Sequence, residues 1–321
     1  MPRRSSRRPG RTQPAIALVL LVVVAAAAGW WLLRPSRLHR PHRRVAVMTP
    51  TVAASPVLGE TPTPEATEFP SAAPSPSLTP APAPSALSPR PSGTVNPNAV
   101  KLALIVDDCG QWISTERGFI ALGIPVTLSV LPDVPYTGEI AREASDAGKG
   151  VMLHLPMETL SGLNPGPGKV TTEMTDPQIV AQVEADLAQV PSARGVNNHE
   201  GSKASADARV MRDVIGVLAQ HGDLFFIDSR TNAASVGEQT AQQLGVPTAA
   251  RDVFLDNRAD VAYTEGQLLE AVAVARRTGS AIAIGHPRPT TLAAVQAMIP
   301  RLEASGVEFV LAQDLVSSGS R

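Results

Sequence analysis

The chain has 321 residues, a formal net charge of −1 and a single cysteine, which excludes an internal disulfide and a cysteine-rich zinc site. The near-neutral total hides an uneven distribution, because residues 99–321 carry 17 Lys and Arg against 26 Asp and Glu, about −9 in all. A segment this acidic is a poor non-specific binder of nucleic acid, so we expect no nucleic-acid partner.

The amino-terminal residues have the pattern of a membrane anchor. Residues 1–14 contain five arginines and no acid, and residues 15–34 form an apolar stretch that is uncharged until Arg34. A bilayer core needs about 20 such residues, whereas a cleaved signal peptide, the alternative, usually has an apolar core of about 7–15 residues. We therefore predict a retained transmembrane helix over 15–34, with its paired tryptophans at the membrane interface.

Residues 35–98 combine a basic flank with a linker rich in Pro, Ser, Thr and Ala, and 13 of the chain's 30 prolines lie between residues 49 and 98. Such a composition predicts a disordered, extended tether. Arginines flank the apolar stretch on both sides, so charge alone leaves the orientation open. The usual amino-terminus-in habit of such anchors and the tether favour a bacterial, single-pass membrane protein whose domain 99–321 is extracytoplasmic, in the periplasm or at the cell surface.

From residue 101, strand-like and helix-like segments alternate. Strands are predicted over 101–106, 124–130, 150–154, 194–197, 224–227, 247–255, 281–284 and 308–311. Helices are predicted over 113–122, 137–147, 177–190, 205–220, 235–244, 265–278 and 290–304. This rhythm favours a parallel α/β sheet whose seven or eight units close into a (β/α) barrel. The alternative is an open doubly wound sheet, but no Gly-x-Gly-x-x-Gly follows the first strand.

Several apolar runs end in carboxylates or histidines. Asp107 and Asp108 end the first strand, where two adjacent charges suit one residue that binds a cation and one that accepts a proton. Strand-end histidines follow as His154, His199 and His286. Because the carboxyl ends of parallel barrel strands meet at one face, these side chains predict one shared site.

Further polar residues at strand ends are candidates for the same site. Glu158, four residues after His154, is a candidate metal ligand. Asp228 is a candidate to orient a histidine or bind substrate, and Arg230 is a candidate partner that keeps Asp107 ionised. The predicted substrate-binding residues are Asn198, Arg230, Arg251 and Asp256. The alternative for Asp228 is a capped turn, and Asn197 or Asn198 could equally be turn residues.

Six ordered motifs over about residues 101–316 resemble the divergent polysaccharide deacetylase family. They are Asp107-Asp108, His-Leu-Pro-Met-Glu from 154, Asn-Asn-His-x-Gly-Ser from 197, Phe-x-Asp-Ser-x-Thr from 226, Val-Phe-Leu-Asp-Asn from 253 and Ile-Gly-His-Pro from 284. That family is a remote relative of metal-dependent esterases that remove N-acetyl groups from chitin-like polymers and peptidoglycan. The resemblance implies a distorted barrel of the glycoside hydrolase/deacetylase type, with its site at the carboxyl ends of the strands.

The resemblance also implies roles for individual residues. Asp107 corresponds to the general base, Asp108 and His154 to metal ligands, and His286 to the general acid. Glu158 stands where the related esterases have a second histidine, so the remaining ligand is either Glu158 or His199. Two imidazoles and a carboxylate suit Zn²⁺, although other divalent ions fit too. The implied activity is metal-dependent hydrolysis of N-acetyl groups on a cell-envelope polysaccharide.

Two other functions compete with this one. A metal-free glycosidase could use Asp107 with Asp228 or Asp256, but such chemistry does not need three strand-end histidines. A degenerate barrel could instead act as a non-catalytic module that binds glycan or organises the envelope. Outside the apolar stretch the chain has one tryptophan, Trp112, so the composition offers little aromatic surface on which a long glycan could stack.

Overall fold

The computed structural model describes residues 99–318, in which strands and helices alternate as predicted. The strands are β1 (Val100–Cys109), β2 (Thr127–Val130), β3 (Gly150–Met157), β4 (Gly195–Glu200), β5 (Phe225–Asp228), β6 (Thr248–Ala250), β7 (Val253–Phe254), β8 (Ser280–Gly285) and β9 (Val307–Val310). The helices are α1 (Ile113–Ile120), α2 (Thr137–Asp146), α3 (Asp176–Gln189), α4 (Ala208–His221), α5 (Gly237–Leu244), α6 (Val261–Thr278) and α7 (Pro289–Ala304).

All nine strands form one parallel sheet in the order β6-β5-β4-β3-β2-β1-β8-β7, with β9 added beside β1. The strand predicted over 247–255 is divided, and its two halves are the two ends of this order. Arg251 donates its N–H to Asp228 O, and Asp252 donates its N–H to Ile282 O. The sheet is therefore a curled parallel half-barrel with both ends on one chain segment. This confirms the predicted parallel, barrel-like α/β architecture, with nine strands where seven or eight were predicted.

The helix ends follow from local side-chain chemistry. Thr175 caps α3 in a capping box with Gln178, and Pro177 occupies the first turn. Asp207 caps α4, because its carboxylate accepts the N–H groups of Arg209 and Val210. Where α4, α5 and α6 end, the next residue is a glycine in the left-handed conformation.

Two buried clusters distinguish the two faces of the sheet. Alternate side chains of a strand point to opposite faces. One cluster contains no residue of the seven α-helices and fills the concave face; its larger members are Ile105, Met152, Phe225, Ile227, Ile282 and Ile284. The other joins Leu102, Leu104 and Val106 to the buried sides of the helices. The first set therefore defines the inward positions of each strand.

The predicted basic segment 1–14, anchor 15–34 and linker 35–98 lie outside the described residues. Within 99–318, no helix has both the length and the apolar character needed to cross a bilayer.

Candidate active site

At the carboxyl ends of the strands, polar side chains occupy the next inward positions after the apolar residues of the concave face. Strand pairing sets Ile105 beside Ile284, Ser129 beside Met152, and His154 beside Asn197, which itself lies beside Ile227. Two residues beyond the last inward apolar position come Asp107 on β1, His154 on β3, and His286 after β8. His199 follows Asn197 on the same face of β4. Because side chains alternate along each strand, one aspartate and three histidines lie together on the concave face, at the carboxyl end of the sheet.

Asp108 reaches the same place by a change of backbone conformation. Its position on β1 would point it outward, but its φ is +57°, in the left-handed region. The register between β1 and β2 shifts between Val106 and Cys109, as at a β-bulge. A residue in such a conformation re-aims its side chain, and Asp can adopt it at modest cost. This local turn lets two consecutive acids face one site.

The Asp108 carboxylate lies among three imidazoles. Its Oδ1 is 2.8 Å from His199 Nδ1 and 3.2 Å from His154 Nε2, while Oδ2 is 3.6 Å from His286 Nε2. Burial by itself would raise the pKa of Asp108, but the imidazoles of His154 and His199 outweigh it and hold that pKa well below its usual range. The carboxylate is therefore ionised and ready to bind a cation.

Asp108, His154 and His199 are a cluster that fits a divalent metal. Their ligand atoms lie within 4.8 Å of one another, and His154 Nε2 is 3.1 Å from His199 Nδ1. Asp108 Oδ1 is buried and has no well-aligned hydrogen-bond donor. Zinc bonds of about 2.1 Å in tetrahedral geometry put ligands roughly 3.4 Å apart, only a few tenths of an ångström beyond these spacings. The residues present therefore fit the predicted metal site.

Asn197 holds His154 in the tautomer that a ligand needs. The Asn197 Nδ2 donates to Asp107 Oδ1 at 2.9 Å, and an ionised carboxylate only accepts, so the amide orientation is fixed. Asn197 Oδ1 then accepts from Ser129 Oγ and, at 2.8 Å, from His154 Nδ1. Because the proton of neutral His154 sits on Nδ1, the lone pair of Nε2 points towards Asp108 and His199.

Asp107 is the buried acid of the pair, with 4 % of its surface exposed. Burial raises its pKa, and the nearby His154 and the Asn197 amide oppose that shift only in part. Its Oδ2 is 3.7 Å from His154 Nε2, but Asp107 is not a member of the metal cluster. A carboxylate with a raised pKa beside a metal site is suited to accept a proton from water.

His286 forms a second pair with Asp256. Its Nδ1 lies 2.9 Å from Asp256 Oδ1, and its backbone N–H donates to Asp256 Oδ2 at 2.8 Å. Burial alone would lower the pKa of His286, but Asp256 and the two strand-end aspartates raise it overall. His286 therefore keeps a proton above the usual histidine range, which suits a general acid.

Asp256 was predicted to contact substrate; it lies with His286 in the lining of the cavity over the cluster, but its carboxylate is engaged by neighbouring side chains. Its side chain is fully buried, and Oδ2 also accepts from Thr291 Oγ1 at 2.7 Å. Burial would raise its pKa, but hydrogen bonds from His286 and Thr291 lower it, so the carboxylate stays ionised. Asp256 is therefore a positioning residue that orients His286.

Glu158 is not a member of the cluster, which corrects the prediction that it is a metal ligand. Its Oε1 binds Lys203 Nζ at 2.8 Å, and its Oε2 accepts from the N–H and the hydroxyl of Thr172. Burial opposes ionisation, but these donors lower the pKa of Glu158 to about 2. Both oxygens are engaged in joining two loops, so of the two alternatives only His199 lies at the metal site.

Asp228 and Arg230 also differ from their predictions. The Asp228 carboxylate accepts from Arg230 N, Ser235 Oγ and Glu238 N, so it caps the turn that leads into α5 and orients no histidine. The Arg230 guanidinium binds Glu238 at 2.8 Å and forms no ion pair with Asp107 within the described residues. Asp228 is therefore the capping residue of a turn, which was the alternative to a role in the site.

A cavity of about 590 Å³ opens over the cluster, lined among others by Asn198, Arg230 and Arg251. Asn198 is a strand residue rather than a turn residue, and its amide bonds Ser229 N and Glu200 O, so its polar atoms order the rim. Arg251 donates to the carbonyls of Ser229 and Arg230. Burial lowers the pKa of Arg251, and Asp107 offsets this in part. Arg251 and Arg230 stay candidates for substrate contact.

Four residues near the site were not predicted from the sequence. Asn197 and Ser129 orient His154, Glu116 supports the loop after Asp108, and Trp112 stands on that loop. The inward alternation on β2 and β4 could have indicated Ser129 and Asn197, because both are polar at core-facing positions. Nothing comparable marks Glu116, which lies on a helix.

The comparison with protein families decides the classification, since the divergent polysaccharide deacetylase profile matches residues 104–316. The chain belongs to the divergent polysaccharide deacetylase family. That match covers nearly all of the described sheet and includes Asp107, Asp108 and every strand-end histidine. The family predicted from six short motifs is therefore confirmed.

Two relatives and one solved structure are similar to this chain. A protein of Haemophilus influenzae is 36% identical over 202 residues, covering 63% of this chain and 72% of that protein. The Escherichia coli protein YibQ is 36% identical over 204 residues, covering 64% of each chain. The crystal structure of ATU2773 from Agrobacterium tumefaciens C58 is similar at a TM-score of 0.65 and 23% identity, covering 68% of this chain and 89% of that one. The last similarity establishes the fold alone.

If the cluster binds a divalent metal such as Zn²⁺, replacing Asn197 by alanine should weaken that binding by about 10- to 100-fold, the usual cost of removing a residue that orients a metal-binding histidine. The change also leaves His154 Nδ1, Asp107 Oδ1 and Ser129 Oγ without this partner, at a cost of about 1–3 kcal/mol in unfolding free energy. Competition with a chromophoric chelator measures the affinity. Asn164→Ala, on an exposed loop, is the matched control. An unchanged affinity in Asn197→Ala would contradict the tautomer assignment.

Proposed function

We propose that this protein is a metal-dependent hydrolase that removes N-acetyl groups from a cell-envelope polysaccharide. The observation that carries the proposal is the placement of a buried aspartate, a three-residue cluster that fits a metal and a histidine with a raised pKa around one cavity. Membership of the family supports the substrate class. Zinc is the metal that two imidazoles and a carboxylate favour, with a position left open.

The mechanism divides the work between the residues of the site. Asp108, His154 and His199 would hold the cation. When bound, a divalent cation polarises an amide carbonyl and lowers the pKa of a water molecule. Asp107 accepts the proton of the attacking water, since its raised pKa makes it a stronger base than an exposed aspartate. His286, oriented by Asp256, donates a proton to the departing amine nitrogen.

The hydrogen bonds of Asp228 and Asp256 do not support a metal-free glycosidase in which either acid would act with Asp107. Asp256 is fully buried against His286, and both oxygens of Asp228 accept hydrogen bonds within its own turn. Neither is available to a sugar opposite Asp107. The non-catalytic glycan-binding module stays an alternative outcome of the assay described below.

We further propose that residues 15–34 anchor the protein in a bacterial membrane and that residues 35–98 tether the domain 99–321 on the extracytoplasmic side. The apolar length of the first segment and the proline content of the second support this arrangement. It would give the site access to envelope polysaccharide.

The test is the chemistry of the products. The full chain, supplied with zinc, is incubated with tetra-N-acetylchitotetraose and with peptidoglycan, and acetate and free amine are quantified. We expect equal amounts of both from at least one of the two substrates. Absence of acetate from both, with glycan binding retained, would reject the hydrolase and favour the binding module.

The pH dependence of kcat/KM should be bell-shaped. Asp107 must be ionised, and burial raises its pKa, so activity should appear only above the usual aspartate range. His286 must be protonated, and its pKa is raised, so activity should persist above about pH 6.5 before it falls. Asp256→Asn removes a charge that raises the pKa of His286, so the alkaline limb should move to lower pH while the acid limb stays. An unmoved alkaline limb in Asp256→Asn would contradict the role of His286.

A further inference from the structure

Trp112 is unusually exposed for its size and position. It is the only tryptophan of residues 99–318, and 51% of its surface is accessible. It lies four residues after Asp108, immediately before α1. Single exposed apolar residues are common on proteins and mean little by themselves. The position of Trp112 therefore has to be judged from what holds it and what it faces.

The loop that carries Trp112 is held by a buried carboxylate. Glu116 is fully buried, and its Oε1 accepts the backbone N–H groups of Gly110, Gln111 and Trp112 at 2.9, 3.0 and 2.8 Å. Three hydrogen bonds to one oxygen fix the backbone on which the indole stands. An exposed aromatic on a rigid backbone loses little entropy when a ligand packs against it.

Trp112 faces a cavity that adjoins the catalytic groups. This cavity, about 440 Å³, is lined by Trp112, Thr115, Pro287 and Pro289, and also by Asp108, His286 and Arg288. The last three residues also line the polar cavity over the metal cluster. The two cavities therefore meet at the groups that would hold the metal and donate the proton.

We propose that Trp112 is the stacking platform of a sugar-binding subsite beside the reaction centre, where it packs against the C–H face of a pyranose ring. A pyranose has a flat apolar face and a rim of hydroxyls, which matches a cavity lined by an indole, two prolines and the guanidinium of Arg288. The inference rests on the proposed function and deepens it, since it makes the substrate a chain of at least two sugars. One ring lies on Trp112, and the acetylated one lies over the cluster.

The test compares Trp112→Ala, Trp112→Phe and the control Leu269→Ala, an exposed apolar residue on α6. With tetra-N-acetylchitotetraose, KM of Trp112→Ala should rise about tenfold at nearly constant kcat, and phenylalanine should restore part of the loss. Affinity is measured separately by calorimetry with the same oligosaccharide and with cellotetraose, which has the pyranose faces but no acetyl groups. Both should bind the wild-type chain more tightly than Trp112→Ala, with Leu269→Ala unchanged.

The outcomes separate this inference from the proposed function. Turnover with unchanged KM and affinity in Trp112→Ala would overturn the subsite and leave the hydrolase intact. Binding that Trp112→Ala weakens, without any turnover by the wild type, would support the subsite and reject the hydrolase. If Trp112→Ala weakens binding of tetra-N-acetylchitotetraose, but cellotetraose does not bind even to the wild type, the cavity holds the acetyl group. That result would overturn ring stacking. No binding of either oligosaccharide to the wild type would also overturn it.

Discussion

Replacing Asp108 by asparagine should remove zinc from the protein and lower kcat/KM by about 1000-fold or more. Loss of a residue that merely orients a ligand costs about 10- to 100-fold in affinity, and Asp108 is itself within 3.2 Å of both candidate histidine ligands. The metal supplies several kcal/mol of transition-state stabilisation, and about 4 kcal/mol corresponds to a factor of about 1000. Metal analysis of the dialysed protein and acetate release measure the two effects.

Asparagine is chosen because it should leave the backbone conformation at position 108 unchanged. Asp108 has a φ of +57°, and asparagine adopts the left-handed conformation as readily as aspartate does, whereas alanine would add strain. Glu158→Gln is the matched control, since that carboxylate binds Lys203 and Thr172 instead of the cluster. We expect its zinc affinity to equal that of the wild type. Full zinc content in Asp108→Asn, or its loss in Glu158→Gln, would contradict the ligand assignment.

Replacing Asp107 by asparagine should lower kcat by about 100- to 10,000-fold, the usual contribution of a general base, while zinc stays bound. The asparagine oxygen can still accept from Asn197 Nδ2, so the support of His154 is maintained. The change also removes a buried charge whose desolvation raises its pKa, so thermal stability should not fall. Single-turnover kinetics and metal analysis on one preparation measure both properties.

Substitution of the two adjacent aspartates should therefore have different effects. Asp108→Asn should lose metal and activity together, whereas Asp107→Asn should lose activity alone. Zinc loss in Asp107→Asn, comparable with that in Asp108→Asn, would mean that both acids bind the metal. The division between base and ligand would then be wrong.

The sheet and the metal cluster were largely predictable, because they depend on alternation along strands. Inward apolar residues such as Ile105 and Ile284 belong to apolar segments that the sequence predicts as strands. The polar residues two positions later lie on the same face of the sheet. Asp107, His154 and His286 lie at such positions, whereas Asp108 enters the site only through its left-handed backbone conformation. The division of the strand over 247–255 was not predictable, since it reflects pairing of one segment with both ends of the sheet.

The roles of the surrounding acids could not be predicted from position alone. Glu158, Asp228 and Asp256 all follow apolar runs, yet they bind a lysine, a turn and a histidine, respectively. Apart from Arg230 N, which is two residues from Asp228, the partners Ser235, His286 and Lys203 lie 7, 30 and 45 residues away, and nothing local in the sequence specifies them. The sequence motif alone indicates Asn198 as readily as Asn197, whereas alternation along β4 and its register with β3 show that Asn197 faces His154.

The most direct test of the metal-dependent mechanism is a zinc titration of the chelator-treated full chain, with acetate release from its best substrate as the readout. We expect no activity before zinc is added, a linear return, and saturation at one zinc per chain, since residues 99–318 contain one candidate cluster, Asp108–His154–His199. Full activity in excess chelator, or a return that needs two zinc ions per chain, would contradict a catalytic site built on this one cluster.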